Sequence, residues 1–273
     1  MKKHILITGS TDGIGKLAAL KLAKDGHQLY LHGRDPKKLE ATIAEIRKEA
    51  DTKTVFGSVA DFSNLARVKS FAEKTTFELE RLDVLINNAG VFKSPSLTNT
   101  DHIDLRLTVN YLAPYVFTRG VLPVLKKSKN PRIINLSSAA QAQVSLDALM
   151  GEETLSVQGA YGQSKLALTM WSFELAKKEK GISVIAVNPG SLLNTKMVKE
   201  AYGHHWSSAE KGATILYDLA VSSEFEGISD RYFDNDKGDS RGTFAEAHPD
   251  AYNSKKIKDL VATTEKLLSS LSL

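Results

Sequence analysis

Short, β-branched apolar runs alternate along this chain with longer stretches in which apolar residues return every three or four positions. The runs at residues 4–8, 28–32, 53–57, 84–87, 132–136, 183–188 and 231–233 predict strands. Between them the longer period predicts helices over 14–24, 36–49, 64–79, 101–127, 159–178 and 208–220, with a last helix over 249–271. Several strands are apolar almost throughout, as in Ile5-Leu6-Ile7 and Val184-Ile185-Ala186-Val187, which a parallel sheet covered on both faces requires. Such repetition predicts right-handed crossovers and an α/β, doubly wound sheet. No Pro-, Gly- or Ser-rich linker divides residues 1–273, so a single domain is expected. The stretches 139–158, 192–207 and 222–250 break the rhythm, and long irregular segments in a compact domain are usually lids or binding loops. Residues 192–207 read as a substrate lid and 222–273 as a C-terminal extension, inside which 234–242 read as a mobile surface loop.

Composition narrows the classes. Hydrophobic residues at 42% and charged residues at 25% exclude wholesale disorder. No stretch reaches the ~18 uninterrupted apolar residues of a spanning helix, so no membrane anchor is expected. The 36 Lys and Arg against 32 Asp and Glu leave +4, scattered along the chain, which admits anionic ligands without arguing for nucleic acid. The absence of cysteine excludes disulfides, thiolate metal sites and a Cys nucleophile. Met1-Lys2-Lys3-His4 leads into the first strand with no cleavage-type site, and a cytoplasmic location is the expectation.

Thr8-Gly9-Ser10-Thr11-Asp12-Gly13-Ile14-Gly15 follows the first strand and opens a helix. Gly9 allows a sharp turn, Gly13 a close approach to a pyrophosphate and Gly15 helix-on-strand packing, while the helix N-terminus offers free N–H groups. The same turn also occurs as a tight connection with no ligand. Asp35 stands where a ribose-binding acid is sought, but Asp35-Pro36 reads as a helix cap followed by Pro at the first helical position. The strand end reads His32-Gly33-Arg34, and Arg34 is placed to meet a 2′-phosphate, favouring NADP(H) over NAD(H). Alone, Arg34 reads more readily as a solvated loop cation than as a phosphate ligand. Asp61-Phe62 could bracket an adenine, or Asp61 could belong to the cap near Ser63-Asn64.

Candidate chemistry lies at later strand ends: Asn87-Asn88-Ala89-Gly90, Asn110, Ser137-Ser138 and Tyr161-Gly162-Gln163-Ser164-Lys165. Tyr161 and Lys165 share one helical face. A phenol is a poor acid–base group at neutral pH, and a neighbouring ammonium lowers its pKa. Ser138 can hold the oxygen that Tyr161 protonates. Pro114 has no N–H, so the Asn110 carbonyl loses its helical donor and can hold a water linking Lys165 to solvent.

Together, Thr8-Gly9-(x)3-Gly13-Ile14-Gly15, Asn87-Asn88-Ala89-Gly90, Asn110, Ser138, Tyr161-(x)3-Lys165 and Asn188-Pro189-Gly190 resemble the short-chain dehydrogenase/reductase family over nearly the whole chain. The resemblance implies a Rossmann-type, mostly seven-stranded parallel sheet in the order 3-2-1-4-5-6-7, and hydride transfer between NAD(P)H and a carbonyl or alcohol. It implies Tyr161 as acid–base, Lys165 as its modifier and ribose anchor, Ser138 as substrate-oxygen donor and Asn110 as relay. Cofactor contacts would come from Gly9, Ser10, Thr11, Gly13, Ile14, Gly15, Arg34, Asp61, Phe62, Asn88, Ala89, Gly90, Pro189, Gly190, Leu192 and Asn194 or Thr195. Gly33-Arg34-Asp35, the 23-position gap from Ser138 to Tyr161, and Tyr232-Phe233 before a terminal helix are similar to the retinol dehydrogenase and WW-domain oxidoreductase branch. That branch favours NADP(H) and apolar substrates, although Asp12 occupies a position where some of its NADP-preferring members carry a basic residue.

Met197, Tyr202, His204, His205 and Trp206 make an apolar, aromatic lid, which suits a small apolar substrate shielded from water. The His pair lacks a third ligand at metal-site spacing, so no metal is expected. The expected function is an NADP(H)-dependent oxidoreductase acting on an apolar aldehyde, ketone, retinoid- or steroid-like substrate. A non-catalytic NADP(H)-sensing protein and a 3-oxoacyl thioester reductase are the alternatives, and homo-oligomerisation stays open.

Overall fold

The computed structural model describes residues 2–273. The first half alternates β1 (His4–Ile7), α1 (Gly13–Lys24), β2 (Gln28–Gly33), α2 (Pro36–Glu49), β3 (Val55–Val59), α3 (Leu65–Glu78) and β4 (Val84–Asn87). A short α4 (Leu105–Leu107) runs through a π turn (Thr108–Leu112) into α5 (Ala113–Leu125), followed by β5 (Arg132–Leu136), α6 (Leu146–Leu149), α7 (Val157–Lys178) and β6 (Ser183–Asn188). Then come α8 (Lys196–Tyr202), α9 (Ala209–Val221), β7 (Arg231–Asp234), β8 (Thr243–Ala245) and α10 (Ser254–Ser270), with 3₁₀ turns at Ser223–Phe225 and Pro249–Tyr252.

The strands form one sheet in the order β3-β2-β1-β4-β5-β6-β7-β8, with helices on both faces. Seven run parallel, and the eighth, absent from the expected order, pairs antiparallel to β7 through Tyr232 with Ala245 and Phe233 with Phe244. Asp234 therefore ends β7 and residues 235–242 form the turn of a hairpin, which lies at the surface over 236–241. Asp234 and Asn235 are buried, and Phe244 packs edge-on against Phe233 with ring centroids 5.2 Å apart. A three-residue strand is too short to leave a period in the sequence.

One apolar core lies between the sheet and α3, α5, α7 and α10, including Leu85, Phe117, Trp171 and Leu260. The other lies under α1, α2 and α9, including Ile7, Leu22, Ile134 and Leu216. Helix α7 is enclosed, with 14 of its 22 residues buried, because α10 covers its outer side. Thr264 bonds the Tyr111 hydroxyl at 2.8 Å, and Glu265 takes bonds from Tyr115 and Arg119.

The single helix expected over 101–127 starts late and changes pitch. Pro114 cannot donate to the Asn110 carbonyl, and the chain widens here, with the Ala113 N–H reaching back five residues to Thr108. Asn110 thus sits on a widened turn at the level of the β4 and β5 carboxyl ends.

Candidate active site

The sheet order reverses between β1 and β4, and the crevice at their carboxyl ends is where ligands sit in open α/β sheets. Gly9 turns the chain there with φ +64°, and a Cβ on it would lie 2.7 Å from the Ala89 Cα. A Cβ on Gly15 would meet the Asn88 amide nitrogen at 2.4 Å. That amide donates to the carbonyls of Thr8 and Gly9 at 2.9 and 2.8 Å, tying the glycine turn to Asn88-Ala89. Asp12 caps α1 by accepting from the Gly13 N–H at 2.8 Å and is paired with the Lys38 ammonium at 2.6 Å. Its carboxylate is thereby paired at the surface rather than left facing the turn alone. The N–H groups of Ile14 and Gly15, in the first turn of α1, have no intrahelical acceptor. A turn that excludes side chains and ends in unpaired N–H donors suits the pyrophosphate of a dinucleotide.

Asp35 caps α2 by accepting from the Lys38 N–H, with Pro36 at its first position, as its place in the sequence predicts. Arg34 lies exposed directly beyond β2. Asp61 turns back on Ser63, accepting from its N–H at 3.0 Å and its hydroxyl at 2.8 Å, while Asn64 caps α3. The Phe62 ring is only 4% exposed and stacks on His32 at 4.2 Å, which sets the Asp61-Phe62 edge directly against the end of β2.

Toward the middle of the sheet, Lys165 is buried on α7 and donates to the Leu136 carbonyl at 2.7 Å. Burial lowers its pKa to about 8. Its ammonium lies 5.6 Å from the centre of the Tyr161 ring, one turn away. Burial pushes the Tyr161 hydroxyl up to about 12, and a bond with Ser138 pulls in the opposite direction. Desolvation therefore sets the direction of the Tyr161 shift, and the expected lowering by Lys165 is not among its causes. Asn110 joins the loop after β4 to α7: its Oδ1 accepts from the Val91 N–H at 2.8 Å and its Nδ2 donates to the Ser164 hydroxyl at 3.0 Å. Ser164 in turn donates to the Tyr161 carbonyl at 2.7 Å. A Cβ on Gly90 would lie 3.4 Å from Asn110 Oδ1 and 3.7 Å from Lys165 Nζ, which places all three around one small space. The Ser138 carbonyl accepts from the Tyr232 hydroxyl at 3.0 Å, which ties the end of β5 to β7.

Phe92, two residues past Gly90, packs edge-on to Tyr161 at 4.8 Å, and Tyr202 of α8 lies 5.6 Å from Phe92. Met197 approaches Gly90, and Thr195 both caps α8 and faces Gly13, while Asn194 is exposed. The Pro189-Gly190-Ser191 turn and the start of the lid beyond it, where Leu192 adopts φ +46°, are held from the β7–β8 hairpin. Asp236 accepts from the Ser191 N–H and hydroxyl (2.9 and 2.6 Å) and from Asn188 Nδ2 at 2.9 Å. Asn235 donates to the Pro189 carbonyl at 2.8 Å. His204 bonds the Tyr202 carbonyl at 2.9 Å, and among the described residues no three His, Cys, Asp or Glu side chains gather to hold a metal. The sequence did not single out Phe92, Asn235 or Asp236, since each acquires its place only through tertiary contact.

A glycine-lined crevice at the sheet's reversal, beside a Ser–Tyr–Lys cluster, defines a nucleotide-dependent oxidoreductase. The short chain dehydrogenase family model matches residues 3–205, and the chain belongs to that family, whose enzymes act on CH–OH donors. Mouse (Mus musculus) retinol dehydrogenase 12 is 33% identical over 248 residues, spanning 86% of this chain and 78% of its own. Human (Homo sapiens) retinol dehydrogenase 13 is 34% identical over 252 residues, 85% of this chain and 76% of its own. An uncharacterised protein from Mycobacterium paratuberculosis shares the fold at a TM-score of 0.80 and 24% identity, over 98% of this chain and 93% of its own. A structure from Escherichia coli CFT073 described as a short chain dehydrogenase complexed with NADPH aligns at 0.70 with 25% identity, over 86% of this chain and 97% of its own. Among the described residues, no helix is long and apolar enough to cross a membrane.

Proposed function

We propose that residues 1–273 act as one catalytic unit, an NADP(H)-dependent reductase or dehydrogenase of an apolar carbonyl or alcohol. The observation that carries this is the convergence of Ser138, Tyr161, Lys165 and Asn110 beside the aromatic face of Phe92. Similarity to retinol dehydrogenases and to an NADPH-bound structure supports it.

Gly9, Ser10, Thr11, Gly13, Ile14, Gly15 and Asn88-Ala89-Gly90 would hold the dinucleotide, with Arg34 on the 2′-phosphate, Asp61 and Phe62 toward the adenine, and Pro189, Gly190, Leu192 and Thr195 at the nicotinamide. When bound, that cofactor supplies or accepts the hydride. Tyr161, neutral at physiological pH because burial holds its pKa near 12, donates its proton to the substrate oxygen during reduction and takes it back during oxidation. Ser138 hydrogen-bonds that oxygen. Lys165, charged below its pKa of about 8, stabilises the phenolate left on Tyr161. Asn110, bonded to the Val91 N–H and the Ser164 hydroxyl, would serve as the relay member beside this pair. The lid at 192–207 and the Phe92 ring exclude water from the transfer.

The test is turnover of NADPH, followed by its absorbance, across aldehydes, retinoids, steroids and quinones, with wild type and Tyr161→Phe. Wild type oxidises NADPH with an apolar carbonyl, and the folded Tyr161→Phe variant loses that turnover. NADPH binding without turnover of any substrate, or full turnover by Tyr161→Phe, overturns the assignment.

A further inference from the structure

His32 is a buried imidazole that none of the roles above uses. It closes β2 beside Gly33 and is 3% exposed. Its Nδ1 accepts from the Gly9 N–H at 3.1 Å, and its Nε2 lies 2.9 Å from the Ala60 carbonyl. A backbone N–H can only donate and a carbonyl can only accept, so these partners set the tautomer: Nδ1 bare, Nε2 protonated, the ring neutral. The ring stacks on Phe62 at 4.2 Å and Phe71 at 5.2 Å. Its backbone is joined to the same turn, since the His32 N–H donates to the Ser10 hydroxyl and the Ser10 N–H to the His32 carbonyl, both at 3.0 Å. One side chain therefore ties the glycine turn to the end of β3, immediately before Asp61.

These two segments are the walls between which the adenosine half of a dinucleotide would lie. The Gly9 N–H is taken by His32, which leaves the donors further along the turn to face the phosphates. We infer that His32 is a positioning residue for the dinucleotide site, fixing the spacing between the Gly9 turn and the Asp61-Phe62 edge through its two ring nitrogens. The inference rests on the proposed NADP(H) reading of the crevice. It differs from the role of Arg34 in one measurable respect. Arg34 would meet a group present only on NADP(H), whereas His32 shapes a wall that NADP(H) and NAD(H) share.

The experiment compares His32→Phe, which keeps the stacking face and removes both bonds, with His32→Asn, whose Oδ1 can still accept from the Gly9 N–H. Calorimetric Kd values for NADPH and NADH and steady-state constants for reduction are measured on each. In His32→Phe a buried N–H loses its acceptor, and cofactor binding weakens about tenfold or more, by the same factor for both nucleotides. The kcat at saturating NADPH stays within about threefold of wild type, and His32→Asn recovers part of the loss. Unchanged Kd values in His32→Phe, or a kcat loss with unchanged KM for the cofactor, overturn the role of His32 while leaving the NADP(H) reading intact. Wild type that binds neither nucleotide overturns both. Should His32→Phe fail to fold, ¹⁵N NMR of wild-type His32 decides. A neutral Nε2–H ring whose Nδ1 shift responds to NADPH supports the role, and an Nδ1–H ring or a shift indifferent to NADPH refutes it.

Discussion

Replacing Lys165 by Met removes a charge that the fold holds at a cost, and the cost can be read as a dependence of stability on pH. Burial lowers the Lys165 pKa from 10.5 to about 8. Between those values the unfolded chain binds more protons at this site than the native one, so stability rises as pH rises through that window. Below about pH 8 the ammonium is charged in both states, and the burden on the native state is then complete, about 3 kcal/mol at pH 7 from 1.36 kcal/mol per pKa unit. It shrinks to about 1 kcal/mol at pH 10. Methionine carries no titration, but it leaves the Leu136 carbonyl without its donor, an offset of ~1–3 kcal/mol that does not vary with pH. The difference in unfolding free energy, wild type minus Lys165→Met, should therefore become more favourable to wild type by about 2 kcal/mol between pH 7 and pH 10. Urea unfolding of both proteins at the two pH values measures it, and the comparison cancels every other titrating group. A difference that stays flat with pH, or that moves the other way, refutes the picture of a desolvated ammonium. Catalysis should show the same group, with kcat for reduction falling as pH rises through about 8.

Arg34→Ala should raise the Kd for NADPH about tenfold or more and leave that for NADH within about twofold, by fluorescence titration; equal loss for both removes the 2′-phosphate role. Phe92→Ala should raise KM for an apolar carbonyl about tenfold without changing the Kd for NADPH, because one aromatic wall of ~1.5–3 kcal/mol is lost only to the substrate; an unchanged KM places the substrate elsewhere. Leu260→Ala, at a fully buried position of α10, should lower the unfolding free energy by ~2–5 kcal/mol with kcat nearly unaltered, and a loss below about 1 kcal/mol would show that α10 is not packed against α7.

Legibility in the sequence followed how local each determinant was. Helix α2 has its expected bounds because Asp35 and Pro36 mark its start within two residues. The inner strands β4, β5 and β6 also have theirs, since burial on both faces gives each an unbroken apolar run at its centre, as in Ile133-Ile134 and Val184-Ile185-Ala186-Val187. At the sheet edge, β3 begins two residues later than expected, for Phe56 and Gly57 are exposed there and the pattern is weak. The Tyr161–Lys165 pair needed only helical spacing. The π turn needed the Pro114 effect to be followed beyond a missing bond to a change of pitch. The stacking of Phe62 on His32 joins residues 30 positions apart and left no trace in the local pattern. Phe92 and Asp236 belong to partners distant in sequence, and no local period encodes them.

The Asn235–Asp236 hold on Pro189, Gly190 and Ser191 also bears on the order in which the protein is made. Asp236 follows Ser191 by 45 residues, which at ribosomal rates of ~5–20 residues per second is a delay of a few seconds. During that interval β1 to β6 can already lie together, yet the segment leading into the lid has no anchor. The Pro189–Ser191 side of the crevice is thus finished after the Gly9 side. Damage to the hairpin should appear first as newly made protein that captures cofactor slowly, and only then as altered chemistry in the mature enzyme.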